Sequence, residues 1–264
     1  MNEQPDVTVI IPAYNCSETI ERAIASIALQ TVKPNQVIIV DDYSTDTTTS
    51  ILDMILTKRL PFNLVVLHNK ENLGPGLSRN LGWNTATTKW IAFLDADDAW
   101  HPRKLELQLD VISEFPTLDL VCTNSYLIEQ GSSIPNIVDN CVITSLNFNQ
   151  MLFRNLVKTR SVLMRREILK RFEKGLSEDY GLWLACLYSG MSFARLECPL
   201  TFHYRKEYSG GGLSSRVFTH EYFELRNLSR YALDKPILVF CASIFSVVKF
   251  TRRLLIVLLR KAFS

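Results

Sequence analysis

The sequence lacks several features that would identify common classes of protein. A net charge of +2 over 264 residues gives no reason to expect nucleic-acid binding. Six cysteines are present, but they do not have the spacing of a zinc site. There is no internal repeat or low-complexity tract, and the first residues are polar rather than a signal peptide. These absences predict an ordinary globular chain with free thiols in a reducing cytoplasm.

The most informative stretch is an apolar run, 90–94, that ends in the carboxylates of Asp95, Asp97 and Asp98. Like charges at such short spacing repel one another. A divalent cation would neutralise them, and oxygen ligands suit Mg²⁺ or Mn²⁺. The alternative is a solvated acidic loop that caps the next helix, with Pro102 in its first turn. The stretch alone does not decide between these interpretations.

Short apolar runs alternate with segments of helical spacing in the first hundred residues. Apolar residues within 20–28 and 51–56 recur at the spacing of one helix face. Residues 74–83 are typical of a glycine-rich loop that leads into a short helix. Such alternation predicts an α/β fold with a mostly parallel sheet flanked by helices. The predicted strands are 7–12, 37–40, 63–67 and 90–94.

Polar side chains follow three of these predicted strands, at 14–15, 41–42 and 95–98. Ligands of parallel sheets bind beyond the carboxyl ends of the strands. We therefore expect these groups to converge on one rim. The glycines of 74–76 complete no phosphate-loop pattern, so an ATP site is not expected.

Five motifs occur in the order found in family 2 glycosyltransferases, which the chain resembles. The resemblance covers residues 7 to about 183 and becomes loose beyond about 215. It implies the GT-A fold, with a Rossmann-like, mostly parallel sheet flanked by helices and a C-terminal helical segment. The motifs are 9–15, 40–47, 72–80, 93–98 and 177–180.

The resemblance also divides the chain by role. Residues 1–115 would form the nucleotide-sugar-binding half and 116–235 the acceptor-binding and catalytic half. Residues 236–264 would form an amphipathic, basic segment associated with a membrane.

A UDP-sugar site in the first half is the next implication of the resemblance. Tyr14 would stack on the uracil, and Asp42 would accept a hydrogen bond from the uracil imide. Arg79 would reach the pyrophosphate. Taken singly, Tyr14 and Arg79 are more often surface or packing residues, and Asp42 alone is a plausible helix cap. The predicted donor-binding residues are Pro12, Ala13, Tyr14, Asn15, Asp42, Arg79, Asp95, Ala96, Asp97 and Arg205.

The resemblance further implies Mn²⁺ or Mg²⁺ at an Asp-x-Asp motif, Asp95 and Asp97, which Asp98 could supplement. The metal would neutralise charge on the departing diphosphate. His203 is a predicted third ligand, although a single histidine is more often structural. The glycines of 210–212 suit a loop that closes over the diphosphate.

Glu178 and Asp179 are the predicted catalytic residues. On their own they are typical of a helix start, because acidic side chains suit a first turn. In the family context Asp179 matches the general base that deprotonates an acceptor hydroxyl, and direct displacement inverts the anomeric centre. Glu178 would orient the loop or contact acceptor hydroxyls. Trp100 and Trp183 suit either a sugar platform or the core.

The segment 236–264 combines apolar stretches with interspersed cations. Its first apolar stretch is too short to span a bilayer, and cations at mid-segment would be costly there. An interfacial helix on anionic headgroups fits better. A core helix or a dimer contact is the alternative. The cations are Lys249, Arg252, Arg253, Arg260 and Lys261.

The resemblance implies an inverting glycosyltransferase that moves glucose from a UDP-sugar to a lipid-diphosphate-linked sugar. By resemblance, the acceptor is GlcNAc-diphosphoundecaprenol and the link β1,3, in bacterial O-antigen or surface polysaccharide synthesis at the cytoplasmic face of the inner membrane. One alternative is a metal-dependent nucleotidyltransferase, although 13–16 lack its phosphate loop. The other is a non-catalytic sugar-nucleotide-binding protein, against which Asp95, Asp97 and Asp179 argue.

Overall fold

A computed structural model describes residues 6–129, 132, 141–204 and 217–262. Over these residues the chain forms one sheet of nine strands with helices on both faces. The predicted strands are confirmed to within about one or two residues at each end. The strands are Val7–Ala13 (β1), Gln36–Asp41 (β2), Asn63–His68 (β3), Trp90–Phe93 (β4), Asp98–Trp100 (β5), Leu120–Leu127 (β6), Ile143–Leu146 (β7), Leu163–Arg165 (β8) and Phe193–His203 (β9).

The helices that flank this sheet include both helices predicted from apolar spacing and the short helix after the glycine-rich loop. Helix α6 begins at Glu178, where the acidic pair predicted a helix start. The helices are Ile20–Ala28 (α1), Thr48–Leu56 (α2), Pro75–Thr85 (α3), Lys104–Glu114 (α4), Phe148–Phe153 (α5), Glu178–Tyr188 (α6), Val217–Ser229 (α7) and Pro236–Ala262 (α8).

The strand order in the sheet is β3-β2-β1-β4-β8-β6-β9-β5, and β7 pairs with β9 beside this path. Strands β1 to β4, β6 and β9 run in one direction, whereas β5, β7 and β8 run in the other. The sheet is therefore mostly parallel, as predicted. The carboxyl ends of β1, β2 and β4 lie side by side, because these strands are neighbours.

Two apolar layers cover the faces of the sheet, because successive side chains of a strand point to opposite faces. Along β1, Ile10 packs in the layer that contains α3 and α6, and Val9 and Ile11 pack in the opposite layer with α1, α2 and α4. Burial on both faces is what a parallel sheet requires.

The two candidate sugar platforms belong to this interior. Trp183 is completely buried, with its ring edge-on to Phe172 and Phe193. Trp100 is 1% exposed, and its indole N–H donates to the carbonyl of Arg160 at 2.9 Å. Neither ring can therefore stack on a sugar, and the core interpretation of both is correct.

The prediction that the cysteines are free thiols is wrong for one pair. Cys141 and Cys198 form a disulfide, with 5.6 Å between their Cα atoms. Strands β7 and β9 are antiparallel with Ile143 opposite Leu196, and the same register places Cys141 opposite Cys198 two residues further on. The predicted reducing compartment rested on free thiols and loses that support. The cysteines at 16, 122 and 186 are buried free thiols, and Cys241 is exposed.

Helix α8 packs one face against α5 and α7. Lys249 forms an ion pair with Glu224 of α7 at 2.7 Å, and Arg253 contacts the same carboxylate at 3.2 Å. The prediction that these two cations face lipid headgroups is therefore wrong, whereas Arg252 is exposed. The side chains of Arg260 and Lys261 lie outside the described residues. Within the described part of the chain, no helix has the length and apolarity needed to cross a bilayer.

Candidate active site

The loops that follow β1 and β2 meet at the rim of the sheet. The side-chain oxygen of Asn15 accepts a hydrogen bond from the backbone N–H of Thr45 at 2.8 Å, and the backbone N–H of Asn15 donates to the Ser44 hydroxyl at 3.0 Å. Tyr14 and Tyr43, one on each loop, are about half exposed. Two exposed aromatic rings therefore lie at the predicted donor site, on loops that are joined by hydrogen bonds.

Backbone strain coincides with this rim. Among the described residues other than glycine, three have left-handed φ angles: Asn15 at 46°, Tyr43 at 65° and Ser177 at 55°. Each adjoins a predicted site residue. Such conformations cost on the order of 1–3 kcal/mol and cluster at functional sites. The strain supports the placement of the site at these three turns.

Two of the predicted donor-binding residues offer no side chain to a ligand. Ala13 is completely buried, and its carbonyl accepts the backbone N–H of Asp42 at 2.7 Å. Ala96 is also buried in the core. Any contact that they make with a donor is therefore through backbone atoms. Pro12 is half-buried and Tyr14 is open.

The Asp42 carboxylate is buried and holds the loop between β3 and α3. It accepts hydrogen bonds from the backbone N–H groups of Leu73 at 2.9 Å and Gly74 at 2.8 Å, and from the side chain of Asn69 at 2.7 Å. A carboxylate has about four acceptor positions. One acceptor position is therefore left for a ligand, and the contact with uracil stays a prediction. Asp42 also has a structural role, which the sequence did not indicate.

The acidic cluster after β4 lies against two arginines. Asp95 forms an ion pair with Arg79 at 2.6 Å, and Asp98 forms one with Arg160 at 2.6 Å. Burial, together with the neighbouring carboxylates of Asp95 and Asp97, raises the pKa of Asp98, whereas Arg160 opposes the rise. The cluster is therefore partly compensated by protein cations. Arg160 was missed by sequence reasoning, because it lies outside every motif.

Arg79 joins the donor side of the site to the catalytic side. One guanidinium nitrogen contacts Asp95, and another contacts Glu178 at 3.2 Å. Burial opposes protonation, but these two carboxylates raise the pKa of Arg79 above its ordinary value. Among the residues that the structure describes, its Nε atom is buried and has no hydrogen-bond partner. Arg79 therefore bridges two carboxylates, and its predicted contact with the pyrophosphate stays a prediction.

The predicted general base lies in the first turn of α6. One oxygen of Asp179 accepts hydrogen bonds from the Asn155 amide and the Thr159 hydroxyl, both at 3.3 Å. Burial, and then the Asp179 charge, raise the pKa of Glu178 to about 7. Asn155 and Thr159 therefore orient the Asp179 carboxylate. Sequence reasoning missed both, because they lie in an irregular segment without a motif.

His203 lies at the end of β9, directly opposite Asp98 in the antiparallel register with β5. Opposite residues share a face of the sheet, so the structure brings His203 to the acidic cluster. Its Nδ1 atom lies 3.3 Å from the Ser125 hydroxyl. Arg205 and the loop 210–215 lie outside the described residues.

The donor set fits a divalent cation that shares its coordination with substrate phosphates. Among the described residues, no three acidic, histidine or cysteine side chains are grouped closely enough to form a metal site unaided. The Asp95 side chain is 28% exposed and open to a ligand. Carboxylate oxygens suit Mg²⁺ and Mn²⁺, which usually complete their shells with water and phosphate.

Comparison with known proteins agrees with this geometry. The sequence model described as glycosyl transferase family 2 matches residues 8–172, and the chain belongs to this family. It is therefore a glycosyltransferase, as the motifs predicted.

Three relatives illustrate the similarity. The UDP-Glc:alpha-D-GlcNAc-diphosphoundecaprenol beta-1,3-glucosyltransferase WfaP of Escherichia coli is 31% identical over 80% of this chain and 81% of its own length. WfgD of the same species, with the same described activity, is 30% identical over 69% of each chain. The amylovoran biosynthesis glycosyltransferase AmsB of Erwinia amylovora is 31% identical over 73% of this chain and 67% of its own.

Solved structures confirm the GT-A fold. Staphylococcus aureus TarS 1–349, in complex with UDP-GlcNAc, superimposes with a TM-score of 0.67 at 22% identity, over 86% of this chain and 65% of that one. The mannosyltransferase PcManGT of Pyrobaculum calidifontis, in complex with GDP-Man and Mn²⁺, gives 0.67 at 17% identity, over 94% and 74%.

Proposed function

We propose that this glycosyltransferase transfers glucose, with inversion, from UDP-glucose to GlcNAc-diphosphoundecaprenol through a β1,3 link. The observation that carries the proposal is the Arg79 bridge, which holds Asp95 of the donor motif and Glu178 of the acceptor half on one guanidinium. The described activities of WfaP and WfgD support the choice of donor, acceptor and link. Surface polysaccharide synthesis is the corresponding process.

The donor site is assigned to the rim of β1 and β2. Tyr14 stacks on the uracil, and the remaining acceptor position of Asp42 receives the imide N–H. Asn15 keeps the two loops together through its bond to Thr45. The exposed ring of Tyr43 is a second aromatic surface for the base, which the sequence did not single out.

Mn²⁺ or Mg²⁺ is assigned to Asp95 and Asp97, with His203 at the edge of the site. When bound, the cation would neutralise the charge that develops on the leaving diphosphate. The exposure of Asp95 and the oxygen donors of the motif support this assignment.

Asp179 removes the proton from the attacking acceptor hydroxyl. Hydrogen bonds from Asn155 and Thr159 fix one oxygen of the Asp179 carboxylate. The other oxygen accepts the backbone N–H of Tyr180 in the first turn of α6. Attack from the side opposite the leaving group inverts the anomeric carbon, so an α-linked donor gives a β-glycoside. Glu178, with its raised pKa, keeps Arg79 in place beside the base.

The exposed face of α8 is assigned to the membrane surface that carries the acceptor, at the cytoplasmic face of the inner membrane. Ile237, Phe240, Ile244, Val248 and Leu255 are exposed at helical spacing. Such an apolar face inserts shallowly between headgroups. With Lys249 and Arg253 paired to α7, apolar contact rather than charge dominates this association.

The purified full chain tests the proposal. With UDP-glucose, Mn²⁺ and a synthetic GlcNAc-diphosphate lipid, we expect a disaccharide by mass spectrometry with a β anomeric proton by NMR. Asp179→Asn should lower the transfer rate by about 10²–10⁴-fold while UDP-glucose affinity stays within about twofold. Asp110→Asn, an exposed acid on α4, is the matched control. Excess chelator should abolish transfer.

Three results would contradict this function. A product with retained α configuration excludes single displacement, and full activity of Asp179→Asn excludes it as the base. Transfer of the nucleotidyl group instead of the sugar would identify a nucleotidyltransferase.

A further inference from the structure

The donor rim is the edge of the sheet where β1, β2 and β4 end, and the acceptor side consists of the segment 170–176 and helices α6 to α8. A basic cavity lies on the acceptor side. It occupies about 270 Å³ between the segment 170–176, α6 and α7. This volume is below the roughly 300–1,000 Å³ of typical drug-sized pockets, which suits a small charged group. Glu178 forms part of its wall. One wall of the cavity is therefore the residue directly before Asp179, the proposed general base.

Positive charge dominates the lining. Five cations line the cavity with two carboxylates: Lys170, Arg171, Lys174, Arg226 and Arg230 against Glu173 and Glu178.

Most of this positive charge is not neutralised by the protein. Arg230 forms a two-pronged ion pair with Glu173, at 2.8 and 2.6 Å. Glu178 is bonded to Arg79 instead. Lys170, Lys174 and Arg226 form no ion pair within the described parts of the chain. The lining therefore carries an excess of cations that an anionic ligand would compensate.

The walls of the cavity are held close together. A Cβ atom on Gly181 of α6 would lie 2.9 Å from the side-chain oxygen of Asn227 on α7, so the two helices approach more closely than another residue would permit. The Asn227 amide donates to the carbonyl of Ser177 at 3.1 Å. Phe223 also lines the cavity, with the Arg226 guanidinium 5.7 Å from its ring centre. The site is thus formed in advance and has an aromatic wall beside its cations.

We propose that this cavity binds the diphosphate of the sugar acceptor, and this inference rests on the proposed function. Guanidinium forks match phosphate oxygens in charge and geometry. Glu178 lines the cavity, and Asp179 is the next residue of α6, so the cavity lies one helix position from the proposed base. The same helix α7 exposes Phe218 and Tyr222, which continue towards the apolar face of α8. The lipid tail therefore leaves the cavity towards the surface assigned to the membrane.

A phospholipid headgroup could supply the same phosphate chemistry. The acceptor diphosphate is the better match, because Glu178 of the predicted catalytic pair forms part of the cavity wall. The experiment therefore separates these two sources of phosphate.

The test compares two short-tailed acceptors without vesicles: GlcNAc-diphosphate on a phenoxyalkyl chain, and the same glycoside without phosphate. For Arg226→Gln/Arg230→Gln, we expect KM for the diphosphate acceptor to rise by about tenfold to a hundredfold, since each charged hydrogen bond contributes about 1.5–3 kcal/mol. The kcat, the KM for the neutral acceptor and the slow hydrolysis of UDP-glucose should stay within about twofold. Arg195→Gln is the matched control, because Arg195 is also in a surface ion pair, with Glu197 at 2.6 Å.

A binding experiment separates this inference from the proposed function. With UDP at saturation to fill the donor site, methylenediphosphonate should bind the wild-type chain in calorimetry, and the double variant should bind at least about tenfold more weakly. That result supports the cavity even if no acceptor is glucosylated. Equal loss of activity with both acceptors, or unchanged diphosphonate binding in the variant, overturns the inference. Loss of binding to phosphatidylglycerol vesicles with an unchanged KM for the short diphosphate acceptor assigns the cavity to headgroups and also overturns it.

Discussion

The donor rim and the acceptor side of this enzyme are held by different forces. On the donor rim, buried Asp42 and exposed Asn15 bind backbone N–H groups of neighbouring loops. On the acceptor side, charged pairs join neighbouring segments: Lys249 of α8 pairs with Glu224 of α7, and Arg230, just after α7, pairs with Glu173 in the segment before α6. The comparison implies that the donor rim is fixed by geometry, whereas the acceptor side responds to pH and salt.

The largest loss of stability is expected for a variant that disrupts the donor rim. Asp42→Ala removes a buried acceptor and leaves donors of the half-buried Asn69, Leu73 and Gly74 without this partner. Each unsatisfied group costs about 1–3 kcal/mol, so the free energy of unfolding should fall by at least several kcal/mol. Urea unfolding measures the loss, and calorimetry with UDP measures donor binding. Asp53→Ala, an exposed acid on α2, is the control.

A result in which Asp42→Ala keeps its stability but loses UDP would reverse the assignment. Asp42 would then act on the ligand rather than on the loop.

A smaller effect sharpens the view that the acceptor side depends on pH. Burial in the folded chain raises the pKa of Glu178 to about 7 from its ordinary value of 4.5. Between these values the folded state binds more protons than the unfolded state, so this group makes stability fall as the pH rises. Glu178→Gln should reduce that fall between about pH 4.5 and 7, measured by urea unfolding at several pH values.

Glu173→Gln provides the opposite control. Hydrogen bonding from Arg230 lowers the pKa of Glu173, so its contribution to stability is lost as the pH falls. This variant should therefore leave the fall of stability with rising pH in place. If the two variants behave alike, burial of Glu178 is not the source of the pH dependence.

The smallest expected effect concerns the apolar face of α8. Phe240→Ser with Val248→Ser should weaken binding to anionic vesicles by about tenfold or more, because each inserted side chain contributes about 1.5–3 kcal/mol at full burial. Since Lys249 and Arg253 are paired within the protein, added salt should change vesicle binding little. Cosedimentation measures both effects.

Leu169→Ser is a suitable control, since this side chain is 91% exposed and lies away from α8. Removal of the whole helix is a poorer test, because Val239 and Ala242 of α8 are part of the core. Strong salt dependence with no effect of the serine variants would assign vesicle binding to charge instead.

Local patterns predicted the parts of the fold that local forces determine. The continuous apolar run of β1 and the helical spacing of apolar residues in α1 reflect burial, and the acidic pair at 178–179 marked the start of α6. Motif order predicted one site for Asp95 and the acidic pair 178–179, and the Arg79 contacts with Asp95 and Glu178 agree with that prediction. These inferences needed only neighbouring residues or a known order.

Long-range partners could not be predicted in the same way. Arg79 and Glu178 are 99 positions apart, and nothing near either residue specifies the other. The pairing of Cys141 with Cys198 depends on the register of β7 and β9. Likewise, Lys249 resembled a membrane anchor until Glu224 was placed against it.

Under the proposed function, the Arg79 bridge between Asp95 and Glu178 would make donor binding and acceptor binding depend on each other. A cation bound with the donor at Asp95 would weaken one half of the bridge and leave more of the Arg79 charge to Glu178. By linkage, the factor by which the donor changes acceptor affinity equals the factor by which the acceptor changes donor affinity. One buried side chain would therefore carry the coupling between donor and acceptor binding.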